Sequence, residues 1–392
     1  MDGLDVATLV DQATTLTGLD DFGEPSWRDG LERLTTALRG EARLSAMGEQ
    51  IAAGELVGLL ASRLGLVAWR AQHPEIAEAD VTPPIVIVGQ ARTGTTILYD
   101  LLAQDPATRV PLSWEVDAPV PPPDTATYAT DPRIAECDAR LAIPDALMPG
   151  FRAMHPMGAL LGQECVRMTS SAFRSATFPT QYRVPSYGRW VLYEADMAPA
   201  YRWHRQFLQH LQSRHPEAGR ARWLLKSPAH IWCLGALLAE YPNALLVQTH
   251  RDPLRVIASV SSLQKVLRGM ATDAASIPEI AAEWADYILD GLDRSIMART
   301  DGTVRADRVV DVQFADFMAD PFTTIRLVYE RLGLELTAST EARMRAFLDA
   351  HGQDTHGTHR YTFADTALDA GALRERARRY QTYFDVPDER LS

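Results

Sequence analysis

The feature that most limits how this chain can fold is four consecutive β-branched residues, Ile85-Val86-Ile87-Val88, ending on Gly89. Such a run, without polar alternation, fits a strand covered on both faces, as in parallel sheets. Thr82-Pro83-Pro84 precedes it, and Ile97, Leu98, Leu101 and Leu102 follow at helical spacing until Asp105-Pro106. The unit therefore reads strand, short loop, helix.

The intervening loop is Gly89-Gln90-Ala91-Arg92-Thr93-Gly94-Thr95-Thr96. Backbone N–H groups at such a turn, with the helix N-terminus behind them, form an anion site. The spacing matches the triphosphate loop G-x-x-x-x-G-K-[ST] except that Thr95 stands where lysine belongs. Without that lysine the usual kinase or hydrolase arrangement is incomplete. The cation here is Arg92 inside the loop, and Thr93, Gly94, Thr95 and Thr96 complete a cradle with hydroxyl and backbone donors.

Three more strands are expected at Arg222–Lys226, Ala244–Thr249 and Val309–Phe314, each followed by a helical stretch. This is the pattern of a parallel α/β sheet. Leu31, Leu34 and Leu38, then Leu56, Leu60 and Leu64, recur at helical spacing before the first strand. Residues 1–80 therefore read as a helical N-terminal extension, and 81–392 as an α/β domain with a helical insertion at about 120–220. The expected class is α/β, a P-loop-like parallel sheet flanked by helices.

A second anion site is expected where the strand ending at Thr249 runs into His250-Arg251-Asp252-Pro253. Asp252 suits a helix N-cap and Pro253 the first helical position. Arg251 lies at the carboxyl end of its strand, where open α/β sheets bind ligands, and Ser259 follows in the same helix. The kinase pattern that shares His-Arg-Asp requires Asn at 257, and this chain has Ile257.

On these residues the chain resembles the sulfotransferases that use 3′-phosphoadenosine 5′-phosphosulfate (PAPS), in the bacterial branch related to tyrosylprotein sulfotransferases. Gln90–Thr96 is similar to that family's loop for the 5′-phosphosulfate, and Arg251 to Ser259 to its 3′-phosphate site. Leu224-Leu225-Lys226-Ser227-Pro228 resembles a block whose lysine approaches the reacting sulfonate. The resemblance runs from about residue 80 to 335 and extends to the segment 356–361. Gln90-Ala91 departs from it where a proline commonly precedes the arginine. The resemblance implies PAPS as donor, adenosine 3′,5′-bisphosphate as product and a small, apolar or aromatic hydroxyl acceptor. Arg92 and Lys226 are the expected electrostatic stabilisers, and Glu115 in Ser113-Trp114-Glu115-Val116 the expected base, with His155 and His230 as alternatives.

Other readings stay open at this point: an atypical P-loop kinase or hydrolase, or a catalytically idle nucleotide-binding module. The aromatic stretch Phe173, Phe178, Tyr182, Tyr187, Trp190 and Tyr193 suits an acceptor pocket wall and a helical core equally. The segment Gly357–Tyr361 suits a lid over the nucleotide or a surface turn.

Charge and cysteine content set outer bounds. With 39 Lys and Arg against 51 Asp and Glu, the net charge is −12, which excludes a nucleic-acid-wrapping surface. A polyanionic cofactor then needs a small positive cleft in an acidic protein. Three scattered cysteines make neither a disulfide framework nor a zinc site, and no His, Asp or Glu cluster suggests another metal. No basic, apolar leader opens the chain, and no unbroken run of 18 apolar residues occurs, so a cytoplasmic protein without a membrane span is expected. The leucine-rich N-terminal helices leave a homo-oligomer open.

Overall fold

A computed structural model describes residues 2–147, 157–215, 221–351 and 361–391. Three helices come first: α1 (Val6–Thr17), α2 (Trp27–Gly40) and α3 (Ala46–Gln72). Asp5 and Ser45 cap α1 and α3 by accepting the amides of Thr8 and Gly48. Leu9, Leu31, Leu34, Leu38, Leu56, Leu60 and Leu64 are buried and join one apolar cluster.

Helix α3 spans 27 residues and is, among the described residues, the one helix long and apolar enough to cross a membrane by length and composition. Counting unbroken apolar runs misses it, because Glu55, Ser62 and Arg63 interrupt the sequence. Arg63, near the middle, is buried and donates to the carbonyls of Phe22, Glu24 and Ser171 at 2.7, 2.9 and 3.2 Å. The helix packs its leucine face against the rest of the protein.

The sheet follows. Strand β1 (Ile85–Val88) leads through the loop to α4 (Thr95–Leu102), then to the two-residue strand β2 (Thr108–Arg109) and the short helix α5 (Ser113–Asp117). Among the described residues no strand occurs between β2 and β3 (Arg222–Lys226), and this stretch includes α6 (Pro132–Leu147), α7 (Cys165–Ser170) and α8 (Ala198–Gln212). Helix α9 (Leu234–Glu240), β4 (Leu245–His250), α10 (Pro253–Gly269), α11 (Ile277–Thr300) and β5 (Val309–Gln313) complete the sheet, and α12 (Ala370–Phe384) lies near the C-terminus.

All five strands are parallel, in the order β2-β3-β1-β4-β5. Ile85 is in register with Leu224 on one side and Leu245 on the other, so β1 is central. Side chains alternate across the pleat. Val86, Val88, Trp223, Leu225 and Leu246 pack on α8 and α9, while Ile87, Leu224, Leu245, Val247 and Val312 pack on α4 and the helices after β5. The sheet is thus covered on both faces, as the β-branched run requires.

This order places a topological switch beside β1. The chain leaves β1 toward β2 on one side and leaves β4 toward β5 on the other. The carboxyl ends of β1 and β4 therefore open a crevice between their outgoing loops, where open α/β sheets hold ligands. Those loops carry Arg92 and Arg251.

Candidate functional site

The loop after β1 is drawn tightly against β4. A Cβ at Gly89 (φ 127°) would lie 2.4 Å from Thr249 Oγ1 and 2.7 Å from its carbonyl oxygen, so only glycine fits. Arg92 adopts a left-handed φ of 68°, uncommon for a residue with a side chain, and Gly94 a φ of 85°. These two left-handed residues, on either side of Thr93, turn the backbone sharply before α4 begins at Thr95. Gln90 Nε2 donates to the Ile288 carbonyl on α11 at 3.1 Å, pinning the loop from outside.

Thr93 does not offer its hydroxyl to a ligand as expected. It is buried, donates to the Gln90 carbonyl at 2.6 Å and lies 2.6 Å from Thr249 Oγ1. Its side chain ties loop to strand. Thr96 Oγ1 instead accepts from Lys226 Nζ at 3.4 Å.

The three expected cations reach the crevice from three strand ends. Arg92 Nε donates to Ser259 Oγ at 3.0 Å, joining the first anion loop to α10. Arg251 Nη1 donates to the Arg92 carbonyl at 2.8 Å and its guanidinium lies 3.9 Å from the centre of the Phe314 ring. Asp252 caps α10 through the Leu254 amide at 2.9 Å, as Asp252-Pro253 predicts. Lys226 is buried at the end of β3, 2.5 Å from Glu164 Oε1. Burial holds the Arg92 pKa below the ordinary arginine value; Tyr361 opposes this, and the Arg251 charge adds to the lowering. An anion arriving here would relieve the repulsion between Arg92 and Arg251.

One internal carboxylate already sits on this cluster. Glu389 accepts from Arg251 Nε and Nη2 at 2.9 and 3.0 Å, a bidentate pair, and lies 3.8 Å from Arg255 Nε. Its own amide donates to Asp252 at 2.6 Å, and Arg374 of α12 grips the same aspartate through two 2.6 Å bonds. Tyr361 stacks near Arg255, 5.1 Å from ring centre to guanidinium. The C-terminal residues therefore do reach the site, but through Tyr361 and the Glu389 tail; residues 357–360 of the expected lid lie outside the described residues.

Glu115 departs from its expected role. It is wholly buried, and its carboxylate accepts from Arg109 Nη2 (2.8 Å), Tyr128 Oη (3.0 Å) and the Leu112 amide (2.8 Å). With three donors and no exposed surface, it holds the turn before α5 and is not presented to a substrate. Among the alternatives, His155 lies outside the described residues. His230 is buried, its Nδ1 is 2.7 Å from Tyr201 Oη, and its Nε2 has no partner. Burial lowers its pKa to about 4, so the ring is neutral near pH 7, with the Glu164 charge opposing. The cavity beside it has room for about one water.

The aromatic stretch resolves toward core. Phe173, Phe178, Tyr187 and Trp190 are buried, and consecutive rings lie 6.3, 5.7 and 5.5 Å apart. They pack on the N-terminal helices, where Gly30 meets the Phe173 carbonyl. His250 packs behind Arg251, between Tyr380 and Asp311 at 2.8 and 2.9 Å.

Two residues carried no local signal. Glu164 and Glu389 join no motif; their partners Lys226 and Arg251 are 62 and 138 positions away.

A parallel α/β sheet with two cationic loops at its switch point has the layout of a site for phosphate-type anions. Comparison with known proteins narrows the class. Residues 83–338 match the model of the sulfotransferase family. The sulfotransferase STF9 from Mycobacterium avium superposes with a TM-score of 0.87 at 30% identity, covering 98% of this chain and 97% of that one. The sulfotransferase STF1 from Mycobacterium tuberculosis H37Rv superposes with a TM-score of 0.83 at 33% identity, covering 95% and 98%. The omega-hydroxy-beta-dihydromenaquinone-9 sulfotransferase Stf3 of Mycobacterium bovis is 27% identical over 308 residues, 73% of this chain and 72% of that protein. The chain belongs to the sulfotransferase family, which sets aside the kinase and hydrolase reading.

Proposed function

We propose that the protein transfers a sulfonate group from PAPS to the hydroxyl of a small lipophilic acceptor, releasing adenosine 3′,5′-bisphosphate. The observation that carries this reading is the pairing of Arg92 and Arg251 across the β1/β4 crevice, with Ser259 on Arg92 and Lys226 at the next strand end. A donor with two separated anionic groups matches this layout, because one cation set lies on each outgoing loop. The Arg92–Thr96 backbone and Lys226 would hold the phosphosulfate, and Arg251 with Ser259 the 3′-phosphate. An apolar hydroxylated acceptor is supported by the similarity to Stf3, whose name specifies an omega-hydroxylated menaquinone.

When bound, the donor supplies an activated sulfonate whose leaving group is a phosphate oxygen. Lys226 and Arg92 are placed to stabilise charge that grows on that oxygen. The cradle also fixes the sulfonate for in-line attack, an orientation effect worth about 7–11 kcal/mol of a barrier. Residues 1–80 read as a helical extension of the catalytic domain, whose helical segment at about 120–220 frames the acceptor side. Three unpaired cysteines, Cys137, Cys165 and Cys233, support a cytoplasmic setting.

The test is direct binding of adenosine 3′,5′-bisphosphate in magnesium-free buffer by calorimetry and thermal shift. Saturable binding that is abolished in Arg251→Ala is expected; no binding to the wild type would overturn the reading. The same titration probes Glu389, which holds the guanidinium that the 3′-phosphate would take. Glu389→Gln is expected to bind the bisphosphate about 3–10-fold more tightly, the scale of one partly exposed ion pair. Unchanged or weaker binding by that variant would place the 3′-phosphate elsewhere.

A further inference from the structure

A group gripped by both Arg92 and Lys226 requires the two to keep one spacing. Strand pairing sets that spacing only as far as the sheet extends. Ile87 is in register with Lys226, and the Ser227 amide reaches the Ile87 carbonyl at 3.4 Å; there the pairing of β1 with β3 ends. One segment continues through Gln90 to Arg92, and the other turns through the 3-10 helix Pro228–Trp232. Both meet again on α11. Gln90 Nε2 donates to the Ile288 carbonyl at 3.1 Å, and Trp232 Nε1 donates to the adjacent Tyr287 carbonyl at 3.0 Å. The Trp232 carbonyl in turn accepts from Arg294 Nη1 at 3.1 Å. Gln90 and Trp232 are buried, and Ile231 and Trp232 share one apolar cluster with Tyr287, Ile288 and Leu292.

One glycine makes this double docking possible. Carbonyls inside a helix already accept the amides one turn later, so a second donor needs open access to them. Side chains on a helix tilt toward its N-terminus, and a side chain at 291 would cover the carbonyls of the turn before it. Residue 291 has none. A Cβ at Gly291 would sit 2.7 Å from Trp232 Cε2, 2.8 Å from Trp232 Nε1 and 2.9 Å from Gln90 Nε2. Glycine inside a helix is unfavourable, yet α11 runs for 24 residues with Gly291 in its interior. Gly54 and Gly58, inside α3, face open space; the space over Gly291 is taken by the two side chains from the cationic segments.

Resting on the donor reading above, we infer that Gly291 is the seat of a positioning clamp, in which Gln90 and Trp232 dock side by side on α11 and set Arg92 against Lys226 for the 5′ group of the donor. Gln90 and Trp232 are positioning residues. Each acts through the backbone of its own segment, Gln90 on the loop that carries Arg92 and Trp232 on the turn that follows Lys226. Arg251 and Ser259 are carried by a different segment, the one after β4, and Arg251 is held besides by Glu389. The clamp therefore governs the 5′ end of the donor and leaves the 3′-phosphate end to Arg251.

The experiment measures binding of adenosine 3′,5′-bisphosphate and of adenosine 3′-monophosphate, which lacks the 5′ group, to wild type, Gly291→Ala and Gln90→Leu. Melting temperature is read on the same preparations. Gly291→Ala pushes both side chains off α11, and Gln90→Leu removes one hydrogen bond at nearly constant volume. In both variants the bisphosphate is expected to bind about 10-fold more weakly, the scale of one lost hydrogen bond to a charged group. Affinity for the 3′-monophosphate is expected to stay at the wild-type value. A variant that had merely lost packing would melt earlier and treat the two nucleotides alike.

Equal weakening of both nucleotides, or of neither, in a folded variant would overturn the clamp and leave the donor reading intact. A wild type that binds the two nucleotides equally well would also overturn it, since no 5′ site would exist for the clamp to set. If Gly291→Ala fails to fold, Gln90→Leu decides alone. Failure of the wild type to bind the bisphosphate would instead remove the donor reading, and the clamp with it.

Discussion

Glu115→Ala is expected to destabilise the protein by about 3–5 kcal/mol, the cost of breaking a buried ion pair by removing one partner. Both side chains are shielded, at 7% and 0% exposure for Arg109 and Glu115. Arg109 has little else to rely on. Its Nη2 also reaches the Leu211 carbonyl at 3.2 Å, but its Nε and Nη1 have no partner, and its guanidinium lies over the Trp223 ring. Without the carboxylate, a cation is stranded between β2 and β3, and Tyr128 and the Leu112 amide lose their acceptor as well. Denaturant titration would show the midpoint falling, with Glu115→Gln intermediate because the amide oxygen still accepts. A loss below about 1 kcal/mol would mean that the pair does not hold this turn.

Stability is expected to fall steeply on mild acidification. His204, His210 and His230 are buried, and each has one ring nitrogen hydrogen-bonded and the other without a partner. Burial lowers their pKa values to about 3, about 4 and about 4. In the unfolded chain these rings protonate near the ordinary histidine value of about 6.5. Between about pH 6.5 and 4 the unfolded state therefore binds more protons than the folded state, so stability decreases as pH falls. Each ring contributes about 1.4 kcal/mol per pH unit within that window, and the three together about 4. His250 is shifted in the same direction by burial, with Asp311 opposing. Melting curves at pH 7.5 and 5.5 test this: a large drop in Tm is expected, and a pH-independent Tm would contradict the neutral buried rings. Phenylalanine or leucine at His204 should flatten the slope, because the unfolded-state proton uptake is removed.

The sheet was legible wherever the signal was local. The strand at Ile85–Val88 falls where its β-branched run predicts, and those at 222, 245 and 309 differ from expectation by at most one residue at either end. Strand β2 was not legible, since two residues, Thr108 and Arg109, carry no periodicity. Helix α3 escaped a run-length test because isolated polar residues interrupt an otherwise apolar helix. The aromatic stretch from Phe173 to Tyr193 suited two environments equally, and contacts with the N-terminal helices decide for the core.

Arg92, Gly94, Lys226 and Arg251 were legible for the same reason as the strands: each lies at or shortly after a strand end, in a segment whose shape follows from its own sequence, and Ser259 follows in the helix after β4. Partnership was not legible. Whether a threonine faces the ligand or its own loop, as Thr93 shows, depends on Thr249 of another strand. Whether a glutamate is a buried strut or an accessible carboxylate depends on which cation meets it, Arg109 for Glu115 and Lys226 for Glu164.

By itself, then, the sequence determined a parallel α/β core and two anion loops at its strand ends. Backbone conformation arises there from neighbouring residues, glycines and helix starts above all. Only the tertiary structure decided which carboxylates meet the cations, placing Glu164 on Lys226 and Glu389 on Arg251. Burial and charge pairing depend on segments that come together through folding, and at separations of 62 and 138 residues no local pattern encodes them.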